Sequence, residues 1–393
     1  VQDPLYARSL VMTDGDETLA IAVVDSCMLP TDVCDEIKAA VAQRTGLPTN
    51  RVLIAATHTH SAPSAMDFCL GTRKDTTYTP WLVAQVTESI VAAHDRMRPA
   101  KAGRTRVNAA EYTNCRRWIR RRDKMATDPF GHRTVRAMMH PGYVNPDFAG
   151  PAGPIDPDLY VFSVVDAASD SPICVLANFS MHYFGSSAAF SADYFGEVAG
   201  HLEKTLGRPN ADVPFVAIMS QGTSGDLHWM DYSRPKRPGL RRDEYSAGLA
   251  KKAIDAWRTV EHSADVELAM AETRLRLRRR TPSDERLEWA AKINEQRGDR
   301  RPQNQPEVYA EQARWIHENA ETVVVLQAVR IGDLAVTAIP NEVYAITGLK
   351  LKALSPYPFT MNMELANGAE GYIPPPEQHR LGGYTTWPAR TAG

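Results

Sequence analysis

Two apolar runs, Thr18 to Val24 and Val52 to Ala56, constrain this chain more than anything else in it. Neither alternates apolar with polar residues over its length, so each reads as a strand buried on both faces. Between them Pro30 and Thr31 open a helix with Val33, Ile37 and Val41 on one face, and Gly46 stops it. That is a β-α-β alternation, the signature of an α/β architecture. Ala7 to Met12, joined to the first run through Asp14-Gly15-Asp16, adds a hairpin. A helix is expected over about Pro80 to Met97, and strands near Leu159 to Val165, Cys174 to Phe179 and Val213 to Met219. Thr322 to Val329 and Leu334 to Ile339 repeat the strand logic around a Gly332-Asp333 turn, and Pro340-Asn341-Glu342 reads as a helix start. The expected fold class is α/β, a mixed β-sheet core flanked by helices, with residues 1–393 forming one catalytic unit.

Two segments interrupt this pattern. Residues 115–157 are rich in Arg, Pro and Gly and show little periodicity, so they read as one long loop, and loops of that length usually carry function. Residues 283–319 read as a polar helical hairpin broken at Pro302 and Pro306, an insertion packed through Leu287, Ala290 and Ile293 against Tyr309, Ala313 and Ile316. Between Arg274 and Arg278, Leu275 and Leu277 alternate with arginine, which fits an edge strand with a solvated face.

Charge and cysteine content narrow the function. The 45 Lys+Arg residues balance 47 Asp+Glu, for a net charge of −2. No overall basic field exists to hold nucleic acid. Counting gives 34 Arg against 11 Lys, an excess that fits a high-GC genome. Cys27, Cys34, Cys69, Cys115 and Cys174 are odd in number and contain no C-x-x-C pair, so neither a disulfide framework nor a zinc knuckle is expected. No run approaches the ~18 apolar residues that span a bilayer. The first residue is Val1 rather than Met, as expected where a leader or tag has been removed.

Candidate chemistry collects at strand ends. His58 and His60 are two apart after the second apolar run, a spacing that on a strand puts both imidazoles on one side. His182 follows another apolar strand, and Ser220-Gln221-Gly222-Thr223-Ser224-Gly225-Asp226 forms a small polar turn after a third. Ligands of α/β folds bind outside such carboxyl ends. Glu342, read alone, is a first-turn carboxylate favoured by the helix dipole.

At this point the sequence resembles the neutral/alkaline non-lysosomal ceramidase family, specifically its N-terminal catalytic domain. The resemblance rests on Asp3-Pro4-Leu5-Tyr6-Ala7-Arg8, Ala56-Thr57-His58-Thr59-His60-Ser61-Ala62-Pro63, Gly153-Pro154-Ile155-Asp156-Pro157 and Asn178-Phe179-Ser180-Met181-His182. It continues through Ser191-Ala192-Asp193-Tyr194, Gly222-Thr223-Ser224-Gly225-Asp226, Pro340-Asn341-Glu342 and Gly371-Tyr372-Ile373, in the family's order. Two positions depart from it, Ala62 and Asn341 standing where the family has glycine. The family's usual C-terminal β-sandwich has no counterpart in this sequence.

The resemblance implies one Zn²⁺ ion held by His58, His182, Glu342 and Tyr372. It places His60 in proton transfer, with Tyr384 and Arg116 stabilising an oxyanion. Arg117, Ser224, Asp226 and Trp229 are expected to contact substrate. Such N/O ligands suit zinc and leave room for a water. The implied activity is zinc-dependent hydrolysis of an N-acyl (amide) linkage in a small-molecule or lipid substrate. An alternative is a glycan or amino-sugar substrate, motivated by Arg116, Arg117, Trp118, Trp229, Tyr384 and Trp387. A second alternative is a non-catalytic ligand-binding protein on the same scaffold. A periplasmic or secreted location follows from the resemblance, and no nucleic-acid partner or transmembrane segment is expected.

Overall fold

A computed structural model of the chain describes residues 1–67, 73–185, 190–208, 213–236 and 239–390. Cys69 lies outside them. The chain opens with strands β1 (Ala7–Thr13) and β2 (Thr18–Val24), helix α1 (Thr31–Thr45), strand β3 (Val52–Ala56) and helix α2 (Tyr78–His94). β1 and β2 pair antiparallel, and β2 and β3 parallel. Gly46, at φ 77°, ends α1 and gives its N–H to Ala42 O, so the left-handed stop expected there is formed. The alternation along β2 explains why its sequence is apolar throughout. Ala20, Ala22 and Val24 pack under α1 and α2, whereas Leu19, Ile21 and Val23 enter a second core on the opposite face.

That second core is shared by three sheets. β4 (Ala100–Asn108) is followed by the short strands β5 (Asn114–Cys115), β6 (Arg117–Arg120), β7 (Ala137–Met139) and β8 (Phe148–Pro151). Then come β9 (Asp158–Asp166), β10 (Pro172–Phe179), helix α3 (Asp193–Leu206), β11 (Val216–Gln221), β12 (Leu227–His228) and helix α4 (Arg242–Trp257). The order β11-β10-β9-β4 makes the second sheet, with α3 and α4 on its outer face around Phe179, Phe195 and Leu249. The third sheet has the order β13-β14-β15-β17, from β13 (Leu268–Arg278), β14 (Glu321–Ile331), β15 (Leu334–Ala338) and β17 (Phe359–Met363). Its Leu268, Val329, Val336 and Met361 meet Leu53 of β3 and Leu176 of β10. The fold is mixed α/β, and among the described residues no helix is long and apolar enough to cross a membrane.

β13 is an edge strand with Leu275 and Leu277 exposed between arginines, as its alternation implies. The hairpin forms as α5 (Asp284–Arg297) and α6 (Gln305–Glu318), joined through Ala290, Ala310 and Ala313. Here Arg300, and then the Gln303 backbone N–H, hold the Glu307 carboxyl down to about 2. A depressed carboxylate contributes stability above its unfolded pKa and loses it as pH falls through the folded one. Acidification from about 4.5 towards 2 should therefore loosen the hairpin, read as faster proteolysis at 298–304, and Glu307→Gln should remove that dependence.

Two expectations need correction. Residues 115–157 are not one loop: β6 pairs with β7 and β8 to give a three-stranded sheet, and β5 pairs with β12. Strands this short bury too little to leave a periodic signal. Pro340-Asn341-Glu342 does not start a helix. Glu342 begins the two-residue strand β16 (Glu342–Val343), which runs parallel to β18 (Tyr372–Ile373), and the helix that follows is α7 (Ala345–Leu354). A last short helix, α8, spans Pro376–His379.

Candidate metal centre

The site lies beyond the carboxyl ends of β3, β10 and β11. β3 stops at Ala56, so the strand pleat does not aim His58. Instead Thr57 N–H bonds Val24 O, His58 N–H bonds Ser26 O, and His58 takes a left-handed φ of 76°. Such a conformation is uncommon for a residue with a β-carbon and is held here by its neighbours. Asn341, at φ 80°, uses the same conformation to turn the chain from β15 into β16, and its Oδ1 accepts from Glu370 N–H at 2.5 Å. The tolerance of Asn for left-handed backbone explains how it stands in a glycine's place. The β16–β18 pairing sets Glu342 opposite Tyr372.

Three buried donors meet at one point. His58 Nε2 is 3.0 Å from His182 Nε2, and Glu342 Oε2 is 3.5 Å from each. The far nitrogens fix the tautomers. His58 Nδ1 lies 2.9 Å from Cys27 O, a carbonyl that can only accept, so the proton is on Nδ1 and Nε2 presents a lone pair. Arg116 Nη2 donates to His182 Nε2 at 3.1 Å, which makes that atom an acceptor as well. Glu342 Oε2 is buried without a hydrogen-bond partner. Two lone pairs and a carboxylate oxygen facing one another are mutually repulsive unless a cation lies between them, and His/His/Glu is a donor set that takes zinc. Tyr372 adds a phenolic oxygen, bonded by Arg116 Nη2 at 3.0 Å.

Burial sets the charge states. It pushes His58 and His182 well below the ordinary imidazole range, His58 further through His60 and His182 further through Arg116. Both are therefore neutral, the form that ligates metals. Burial also pushes the Glu342 carboxyl up to about 7 against the pull of Arg116. Burial opposes the charge on Arg116, but the Tyr384 and Tyr372 phenols and Glu342 hold its guanidinium above its usual range. His60 Nε2 is 3.1 Å from His58 Nε2, the residue is exposed, and the Tyr183 ring is stacked 3.7 Å from its own. Its crowded surroundings and Arg116 bring it down to about 4.

Of the expected site residues, the structure brings His58, His60, Arg116, His182, Glu342, Tyr372 and Tyr384 together, the last edge-on to Tyr372 at 5.7 Å between ring centres. The other four are placed differently. Arg117 is 0% exposed and gives its guanidinium to Gln378 Oε1, Gln378 O, Gly382 O and Thr385 Oγ1. Neighbours in extended chain face opposite ways, so Arg116 entering the site turns Arg117 into the turn that carries Tyr384. Ser224 Oγ sits 3.4 Å from His182 Nδ1 and donates to Glu364 at 2.7 Å, a contact through which it can orient the imidazole. Asp226 is buried and accepts Ala345 N–H at the start of α7. Trp229 stacks on Phe184 at 4.5 Å and donates its indole N–H to Phe184 O. Trp387 packs with Phe130 and Tyr309, and Trp118 donates to Cys115 O.

Glu364, Tyr183, His140 and His228 were not legible from the sequence. Glu364 is fully buried and accepts from Ser224 Oγ and Val343 N–H, linking the shell of His182 to that of Glu342. A cavity of about 1160 Å³ lined by Leu10, Met12, Ala102, Phe215 and Leu268 lies elsewhere and includes none of the clustered residues.

The family model for neutral/alkaline non-lysosomal ceramidase, N-terminal, matches residues 1–228. The chain belongs to this family. Among solved structures, the neutral ceramidase from Pseudomonas aeruginosa superposes with a TM-score of 0.66 over 97% of this chain and 64% of that one, at 18% identity. A structure of ceramidase complexed with C2 gives 0.67 over 98% and 66%, also at 18% identity. At that identity the likeness to these ceramidases is one of fold, and the chain spans less than two thirds of their length. No curated protein matches the chain. The match of this ceramidase-family chain to the family model takes in His58, His60, Arg116 and His182, whereas Glu342 and Tyr372 lie beyond it.

Proposed function

We propose that the chain is a zinc-dependent hydrolase that cleaves an N-acyl linkage. The observation that carries this reading is the convergence of two imidazole lone pairs on the unpartnered oxygen of Glu342. A zinc ion held by His58, His182, Glu342 and Tyr372 would supply a water of lowered pKa and polarise the scissile carbonyl. The remaining chemistry belongs to the side chains. His60, neutral and next to the ligand cluster, accepts the proton of the attacking water and returns it to the departing amine nitrogen. Arg116 and Tyr384 face the developing oxyanion with one positive charge and one hydroxyl. Arg117 donates to the Gly382 carbonyl and the Thr385 hydroxyl on either side of Tyr384 and so holds the turn that carries it.

Incubating metal-loaded protein with a fluorescent N-acyl sphingosine and with a panel of aryl glycosides tests the reading. Release of the amine from the first supports it, and turnover of glycosides alone replaces it with a glycosidase. The amino-sugar alternative keeps one support, because aromatic rings stand at the cluster among the described residues, Tyr183 stacked on His60 and Tyr384 edge-on to Tyr372.

A nearby glycine gives a separate expectation. A Cβ on Gly225 would lie 2.9 Å from Glu342 O and 3.1 Å from Val343 C, backbone atoms that cannot rotate away. Gly225→Ala should shift β16 and weaken zinc binding by ~10–100-fold, the scale of lost support around a ligand. Competition with a zinc chelator measures it.

A further inference from the structure

Glu364 follows β17 and is 0% exposed, and no step of the hydrolytic chemistry above uses it. Both of its oxygens are occupied. Oε1 accepts from Ser224 Oγ at 2.7 Å and Oε2 from Val343 N–H at 2.6 Å, so one carboxyl touches the neighbour of His182 and the residue after Glu342. Burial pushes this carboxyl up against the pull of those two hydrogen bonds, and among the described residues its side chain donates to nothing. Glu364 therefore works here as an acceptor at both ends.

Each link from Glu364 to the ligand cluster has a direction. A side-chain amide nitrogen only donates, and Gln221 Nε2 gives to Ser224 Oγ at 2.6 Å. The Ser224 hydrogen goes to Glu364, which leaves one oxygen lone pair for His182 Nδ1 at 3.4 Å. That nitrogen therefore carries the imidazole proton, in agreement with Arg116 donating to Nε2 on the other side of the ring. We infer that Glu364 is a positioning residue that sets the tautomer of His182 through Ser224, keeping the Nε2 lone pair turned to Glu342. The inference rests on the zinc reading for the purpose of that lone pair, but the tautomer itself can be read without metal.

Glu364→Gln exposes the device. An amide must turn its oxygen to Val343 N–H, since the reverse would set two N–H groups against each other, so its NH2 faces Ser224. Two amide donors then fill both Ser224 lone pairs, and the hydroxyl hydrogen is left with His182 Nδ1 as its acceptor. The imidazole proton moves to Nε2, where it blocks the ligand atom, while Arg116 Nη2 keeps Gly225 O and the Tyr372 hydroxyl.

With isotope-labelled histidine, the long-range proton–nitrogen spectrum of zinc-free protein reads the tautomer directly, the His182 signals being those missing from His182→Gln. The parent should show the Nδ1–H form and Glu364→Gln the Nε2–H form. Zinc affinity, from competition with a fluorescent chelator, should fall ~10–100-fold in Glu364→Gln, the scale of a lost orienting partner. In a Ser224→Ala background the same substitution should cost little because the route is already cut, whereas a carboxyl that only supports the fold would cost as much in either background. An Nε2–H form in the parent, the parent's tautomer in Glu364→Gln, or losses that add across the two sites would each overturn the relay. The parent spectrum decides even where Glu364→Gln does not fold. A parent that takes up no zinc while showing the expected tautomers would count against the zinc reading alone.

Discussion

His58→Ala and His182→Ala should each take the purified protein from about one zinc per chain to essentially none, measured by plasma emission after gel filtration. The size of the effect follows from the donor count. The proposed ligand set has two nitrogens, those of His58 and His182, both neutral and buried, and each is held by a partner on its other nitrogen, Cys27 O for one and Ser224 Oγ for the other. Loss of a mere orienting partner typically costs ~10–100-fold in affinity, and loss of the ligand itself costs more. The alanine variants should also unfold at lower temperature than the zinc-bound parent, because a ligand bound only to the folded state stabilises it by mass action. Chelator-treated parent should resemble them. His94→Ala, at the end of α2 and away from the cluster, provides the control and should keep its zinc. Retention of the parent's metal by both ligand variants would show that the convergence of His58, His182 and Glu342 is not a metal centre.

The second large effect separates chemistry from binding. His60→Gln should retain zinc and lose ~10²–10⁴-fold in kcat on the N-acyl substrate, the usual contribution of a positioned acid-base group. Glutamine keeps a polar side chain of similar reach and stays in place against Tyr183, but it cannot shuttle a proton. The loss should therefore appear in kcat with KM little changed. A variant with the parent's kcat would remove His60 from proton transfer and leave it as a wall of the basin.

Much of the scaffold was legible because it obeys simple periodicities. β2 is apolar on both faces because two cores flank it, and α1 begins at Thr31 and stops at Gly46 for the capping reasons its sequence displays. The His58-x-His60 spacing pointed to the right place for the wrong local reason. The imidazoles converge through a left-handed residue after the strand, and no pleat is involved. Glu342 read alone as a helix-start carboxylate, since a two-residue strand has no periodicity, and only the ordered family motifs singled it out. Arg116 was placed at the cluster by the family motif, but that Arg117 points away from it depends on which face of a short extended segment turns inward, which adjacent arginines do not display in sequence. His140 and His228 gave no signal at all. Each is a lone histidine in an irregular stretch, and their adjacency exists only through the β5–β12 pairing and the His140–Arg116 backbone bond.

The parallel pair of Glu342 and Tyr372 has a temporal consequence. His58, His60, Arg116 and His182 leave the ribosome well before their oxygen partners do, so a nascent chain carries a half-assembled cluster while the residues up to Tyr372 are made. Domains tend to consolidate as the chain emerges, but here the pocket cannot close until the residues around Tyr372 arrive and Glu342 finds its place beside them. On the hydrolase reading proposed above, activity cannot precede the emergence of Tyr372 from the ribosome.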